Sequence, residues 1–166
     1  MDPSLEDFIV VTEVDRGPAF AGAVFQRKYR LDIPDFPHHI VAFHCAAPDR
    51  FEPVSYIHFT WCGDLYLVGG GCTDGRAFAR MPEEHARAIT AAGGLLLQVL
   101  RHGFRRYAAR CEAFFGVCGD PRAWEVCLQA GFSPTATEHL LAYCPRPLDA
   151  QRLHELTCKA KSFMPF

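Results

Sequence analysis

The sequence predicts an α/β protein of the α+β type, with a mixed, mostly antiparallel sheet flanked by helices. Three observations carry this. Short apolar runs rich in β-branched and aromatic residues recur along the chain, and two of them, residues 54–62 and 65–72, are joined by Gly63-Asp64, a link suited to a tight hairpin turn. Between residues 72 and 113, Leu95, Leu96, Val99, Leu100, Phe104 and Tyr107 recur at helical spacing. Composition agrees: 49% of residues are hydrophobic, 22% are charged and 14 are Phe, which excludes intrinsic disorder. A chain of 166 residues without repeats or a composition shift fits one domain spanning residues 1–166.

Taken in order, residues 8–14 form a first strand that ends at Asp15-Arg16-Gly17-Pro18, where a helix over 18–29 begins. That helix places Phe20, Val24 and the stem of Lys28 near one face and Ala19, Ala23 and Arg27 near another, so its apolar side is broad. Pro34-Asp35-Phe36-Pro37 breaks the chain before a strand over 39–45, and residues 46–53 read as a loop. The hairpin of 54–62 and 65–72 follows. The long helix buries its leucine face and leaves Arg101, Arg105 and Arg106 as a solvated face complementing the helix dipole. Residues 113–118 form an apolar strand, 121–130 a short helix, 137–144 a late strand, and 148–161 a final helix after Pro145-Arg146-Pro147.

The net charge of −2 gives no basic face for nucleic acid. No apolar run approaches the roughly 20 residues needed to span a bilayer, and the acidic start is unlike a signal peptide. A soluble, cytoplasmic protein without nucleic-acid or membrane partners is therefore expected. The eight cysteines contain no C-x-x-C pair and sit mostly in apolar stretches, so they read as reduced, buried small hydrophobes. His38, His39, His44 and Cys45 invite a zinc reading, but strand alternation puts His39 and Cys45 on one face and His44 on the other. No structural metal or disulfide is expected.

The most informative stretch runs from Gly119 to Phe132. Asp120 can cap free N–H groups, Pro121 suits the first helical position and Gly131 can take the left-handed conformation that ends a helix. With Ala123, Val126, Cys127 and Gly131-Phe132, this passage resembles the last helix of the GCN5-related N-acetyltransferases, N-x-x-A-x-x-L-Y-x-x-x-G-F. Asp120 stands for Asn, Val126 for Leu and Cys127 for Tyr. The order of elements from residue 54 to 144 is similar to that family, and the region before it is compatible by order alone.

The resemblance implies an acyl-CoA N-acyltransferase-like fold in which strands 65–72 and 113–118 are parallel neighbours that splay apart. Acetyl-CoA or another acyl-CoA would lie in the wedge as co-substrate, its pantetheine beside Gly70, Gly71 and Cys72. Its pyrophosphate would sit at the start of the long helix. The family's loop pattern, Q/R-x-x-G-x-G/A, is approximated by residues 87–92, from Arg87 to Ala92, followed by Gly93-Gly94, with Thr90 in place of the central glycine. A second register starts at Arg76. A competing reading has one helix starting at Pro82-Glu83-Glu84 and running through both glycines, at a cost of roughly 2 kcal/mol relative to two alanines. The implied cofactor contacts are thus Gly70, Gly71, Cys72, Arg87, Gly93, Gly94, Asp120 and Ala123.

Acyl transfer to an amine needs a base for the ammonium proton and an acid for the departing thiolate. Cys127 occupies the place of the family's acidic tyrosine and is the candidate catalytic group, although a thiol on an apolar helix face also serves packing. His58, Asp74 and His139 are open as bases. A Cys-His hydrolase built on Cys127 or Cys118 with His139 lacks any nucleophile motif. The implied acceptor is a small-molecule or protein amine, with a homodimer compatible. The alternative is a catalytically silent domain of the same fold that binds a ligand or a partner protein.

Overall fold

The computed structural model describes residues 3–166. The elements are β1 (Ile9–Val14), α1 (Gly17–Tyr29), β2 (His38–Ala47), β3 (Arg50–Trp61) and β4 (Leu65–Thr73), then α2 (Gly75–Ala79), α3 (Glu83–Ala91) and α4 (Leu95–Tyr107). They continue with β5 (Ala113–Val117), α5 (Pro121–Ala130), β6 (Ser133–Pro134), β7 (Leu140–Tyr143) and α6 (Ala150–Ser162). The strands form one seven-stranded sheet in the order β1-β2-β3-β4-β5-β7-β6. Every neighbouring pair is antiparallel except β4 and β5.

That parallel pair runs from Leu65–Ala113 to Val68–Gly116, and there it stops, although β4 continues to Thr73 along β3. The expected divergence of two parallel neighbours is therefore present. A parallel pair needs a crossover, and α4 lies in it.

Helices cover both faces. On one, Ala21, Val24 and Phe25 of α1 pack on Val41, Phe43 and Tyr56, while Leu156 and Ala160 of α6 pack on Leu65, Leu67 and Phe115. Arg152 ties α6 down through Asp64 at 2.9 Å and Glu112 at 2.6 Å. On the other face Leu95, Val99, Leu100 and Phe104 of α4 cover Ile57, Phe59, Tyr66, Val68 and Phe114. Phe59, Tyr66 and Phe114 are fully buried, and each large apolar side chain so removed from water contributes about 1.5–3 kcal/mol.

Several boundaries differ from the sequence reading. Residues 46–53 are not a loop: β2 and β3 extend through them and leave a two-residue turn at Pro48-Asp49. Pro53 is accommodated in β3 because it lies where the β2–β3 register shifts, a place that does not require its missing N–H. In α1 the inner face is Ala21, Val24 and Phe25. Phe20 stays 48% exposed at the helix margin, edge-on to Phe43. The late strand starts only at Leu140, after a turn in which His139 takes φ +63°. Helix α2 and strand β6 had no counterpart in the sequence reading. Among the described residues no helix is long and apolar enough to cross a membrane.

Candidate active site

Beyond Val68 and Gly116 the two strands part around a cavity of about 360 Å³. Gly69, Gly70 and Gly71 of β4 form one wall, Cys118 and the start of α5 the other. Leu96 and Leu100 of α4 lie among its lining, and Lys28 and Tyr29 of α1 reach it from the opposite face of the sheet. The glycine run has a steric cause. Between His58–Gly69 and Tyr56–Cys72, β4 contains one residue more than β3, a bulge in which Gly70 takes φ +67°. A Cβ on Gly70 would stand 2.6 Å from His58 Cε1 and 2.8 Å from Phe25 Cε2. The strand is bare there because an imidazole and a phenyl ring press against it.

The region expected to hold pyrophosphate is built differently from a phosphate loop. Residues 87–91 are helical and belong to α3, which corrects the reading of 87–92 as a loop; the alternative of one uninterrupted helix is also corrected. Gly93 N–H bonds to the Thr90 carbonyl at 3.0 Å and Gly94 N–H to Ile89 at 2.9 Å, the paired bonds that close a helix on a left-handed residue. Gly93 has φ +87°, and Gly94, at φ 88° and ψ 165°, occupies a region open essentially to glycine alone. The glycine pair is thus the joint between α3 and α4. The amides of Ala92, Gly93 and Gly94 are spent inside it. The first-turn amides of α4 are not, since no side chain caps that helix and Gly94 faces open space.

Of the residues singled out by sequence, Gly70, Gly71, Asp120, Ala123 and Cys127 come together around the cleft. Gly93 and Gly94 line an adjoining cavity of about 480 Å³ with Thr73 and Gly75. Cys72 is buried beneath α1, its thiol pushed up to about 12 by burial. Arg87 is exposed on α3 and lines neither cavity. Positive charge gathers elsewhere: Arg27 and Lys28 of α1, Arg30 just after it and Arg76 of α2 surround, with Asp74, a hollow beside Thr73. Asp120 caps α5 by accepting from Arg122 N–H at 2.8 Å and Ala123 N–H at 3.2 Å, and these bonds hold its carboxyl below the usual range. Its second oxygen faces Lys28 Nζ at 3.9 Å across the cleft.

Titratable groups differ in how they meet the cleft. Burial, then neighbouring Cys118, pushes the Cys127 thiol up to about 12. Tyr29, also pushed up to about 12 by burial, brings a hydroxyl into the same space. Asp74 is committed: it caps α2 through Arg76 and Ala77 and pairs with Arg27. His139 lies on the turn before β7, lining a different hollow with Trp124 and Glu125. His58 lies directly behind Gly69 and Gly70. Sequence reasoning missed Tyr29 and Phe166, which both line the cleft; the only signal for the first was its position one residue after Lys28 at the end of α1. His39 and His44 project to opposite faces, toward Tyr56 and His85. All eight cysteines are free, and among the described residues no group of three or more metal-binding side chains converges.

No protein-family model and no curated sequence matches the chain. Solved structures do. The chain is similar to the ribosomal-protein-S18-alanine N-acetyltransferase of Escherichia coli, with TM-score 0.58 and 10% identity over 86% of this chain and 97% of that one. It is also similar to the N-acetylglutamate synthase of Neisseria gonorrhoeae complexed with coenzyme A and L-arginine, with TM-score 0.54 and 9% identity over 82% of this chain but 33% of the synthase. A Pyrococcus horikoshii chain aligns with TM-score 0.53 and 11% identity over 76% of this chain, which spans 44% of its length. The chain therefore has the fold of the GCN5-related N-acetyltransferases.

Proposed function

We infer that the chain binds an acyl-coenzyme A, acetyl-CoA or a longer acyl-CoA, in the β4–β5 cleft and transfers the acyl group to an amine of a small molecule or a protein. The observation that carries this reading is the end of β4–β5 pairing at Val68–Gly116 beside a cavity of about 360 Å³. Strand edges that part leave peptide groups facing the gap, and an amide-bearing pantetheine arm satisfies them as an added strand would. The pyrophosphate would meet the uncapped first turn of α4, with Arg76, Arg30 and Lys28 supplying charge from the adjoining hollow. The fold shared with the coenzyme A complex of N-acetylglutamate synthase supports the same reading.

When bound, the coenzyme supplies the activated acyl group. The residues of the chain position it, exclude water through Leu96, Leu100 and Phe132, and move protons. Cys127 and Tyr29, with Cys118 and Lys28 beside them, are groups in the cleft able to return a proton to the thiolate. Isothermal calorimetry with coenzyme A tests the reading: saturable binding at micromolar to millimolar concentration supports it.

The second reading, a silent acetyltransferase-fold domain that binds another ligand or a partner protein, is favoured by one observation. The amides that a phosphate loop would offer at residues 92–94 are already hydrogen-bonded within the chain. Absence of coenzyme A binding in that experiment decides for it.

A further inference from the structure

The cleft has one wall that neither strand supplies. Along β4, Leu65 and Leu67 belong to the core on the α6 face of the sheet, and Tyr66 and Val68 to the core on the α4 face. Alternation sends position 69 to the α6 face, where the row of leucines would continue. Gly69 leaves that place open and Phe166 closes onto it: a Cβ on Gly69 would stand 3.3 Å from the Phe166 carbonyl carbon and 3.5 Å from its oxygen. Phe166 lines the cleft there together with Val117 of β5. It is partly buried and packs, with Met164, against the cluster that holds Leu67, Phe115 and Leu156.

The segment that carries Phe166 is fixed relative to both strands. Phe163 N–H bonds to the Ala160 carbonyl at 3.0 Å and Met164 N–H to the Lys161 carbonyl at 3.2 Å, so the segment continues directly from α6. Helix α6 is itself tied to the turn before β4 and to the start of β5. Lys159 Nζ donates to the Cys62 carbonyl at 2.7 Å, and Arg152 pairs with Asp64 and Glu112. Phe166 therefore stands at a set height in the wedge, beside the first residue of β4 past the last β4–β5 pair at Val68–Gly116.

That height decides which part of a ligand reaches it. Thr73, at the far end of β4, borders both the basic hollow and the cavity lined by Gly93, Gly94 and the first residues of α4. Four residues separate Thr73 from Gly69, about 13 Å of strand. A coenzyme held by its phosphates near Thr73 points its acyl end toward the closed end of the wedge, and so toward Phe166. On the α4 side Leu96, Leu100 and Phe132 close the same space.

We propose that Phe166 is the specificity-determining residue for the acyl group, closing the wedge on the α6 face so that it takes acetyl- or propionyl-CoA and excludes longer acyl chains. This rests on the acyl-coenzyme A reading of the cleft. The cluster of Leu67, Phe115 and Leu156 against which Phe166 packs is apolar. Removing the ring opens that cluster to the cleft, and a longer acyl chain then covers it.

Calorimetry with acetyl-CoA and butyryl-CoA tests the assignment. Each methylene buried in an apolar pocket raises affinity about fourfold, so the two extra methylenes of butyryl-CoA would raise it about 15-fold if room existed. The unaltered chain is expected to prefer butyryl-CoA by less than threefold. Phe166→Ala is expected to raise that preference at least threefold while acetyl-CoA affinity stays within threefold, and Phe166→Leu to raise it by less. Phe163→Ala, exposed and outside the cleft, keeps the unaltered ratio. A preference near 15-fold in the unaltered chain, or a smaller than threefold rise in folded Phe166→Ala, overturns the proposal. Failure of the unaltered chain to bind coenzyme A or either thioester overturns the acyl-coenzyme A reading and this proposal with it, whereas binding with an unchanged ratio in Phe166→Ala overturns the role of Phe166 alone.

Discussion

The Tyr29 hydroxyl at the end of α1 donates a 2.6 Å hydrogen bond to the carbonyl of Gly71 on β4. A side chain from across the sheet thereby enters the cleft that the tyrosine of the family's last helix would otherwise serve. Cys127 stands in that helix position, with its thiol buried beside Cys118. Tyr29→Phe is expected to cost about 0.5–1.5 kcal/mol of stability for the lost hydrogen bond. If its hydroxyl serves the thiolate, acyl transfer slows by about 10²-fold. Cys127→Ala is expected to leave transfer within about threefold, measured as thiol release. The reverse pattern assigns the acid to Cys127.

At Gly70 the strand has no room for a methyl group. Gly70→Ala forces a Cβ to within 2.6 Å of His58 and 2.8 Å of Phe25 at a φ of +67°. The left-handed conformation and the overlap together should cost about 2–4 kcal/mol in urea unfolding. A loss below about 0.5 kcal/mol, the range of a neutral surface change, shows that the bulge relaxes freely.

Acid should weaken the fold in two stages. His58 has a folded pKa of about 4 against an ordinary 6.5, so its contribution is fully present above pH 6.5 and is lost as pH falls toward 4. His39 and His44 are also lowered, chiefly by burial, and add to the same slope. For Asp74, burial pushes the carboxyl up, but bonds from Ala77, Arg27 and Arg76 outweigh it and lower the pKa. Its contribution is present above the ordinary 3.8 and is lost below it. Urea midpoints of His58→Gln measured from pH 7 downward should show a shallower decline than the parent in the first stage only. An equal slope removes His58 from the linkage.

On the proposed acyl-CoA reading, charge for the coenzyme phosphates would come from α2 and α1 rather than from α3. Arg76 lines the hollow beside Thr73, whereas Arg87 lies on the exposed side of α3. Arg76→Ala should weaken coenzyme A by about 1.5–3 kcal/mol in calorimetry, the range of a hydrogen bond to a charged group. Arg87→Ala should stay within about 0.5 kcal/mol. The opposite ranking restores the loop register that starts at Arg87.

Much of the architecture was legible because it is written in local chemistry. The Asp120 cap, Pro121 and Gly131 mark both ends of α5, and the helix runs between them as expected. The period of Leu95, Val99, Leu100 and Phe104 marks the buried face of α4. The family resemblance, together with the long helix between two apolar runs, implied the parallel pairing of β4 and β5 that the structure has. The first two features depend on residues within one or two turns of each other, so the amino-acid order alone determines them. Elsewhere the local signal was equivocal. Gly93-Gly94 fits a phosphate loop, a helix interior or a helix joint equally well in sequence, and only the bonds to Ile89 and Thr90 select the joint.

The sequence by itself therefore determined the class of fold and the order of most of its elements, and the family resemblance implied the place where two strands part. Which side chains gather at that place was decided by tertiary structure. Lys28 and Tyr29 reach the cleft from α1, and His58 is set behind β4 by a bulge. The row of His39, Tyr56 and His58 joins residues on two strands. None of these pairings has a period or a cap to announce it. A contact between distant segments is specified by packing, and packing becomes visible only when the chain is folded.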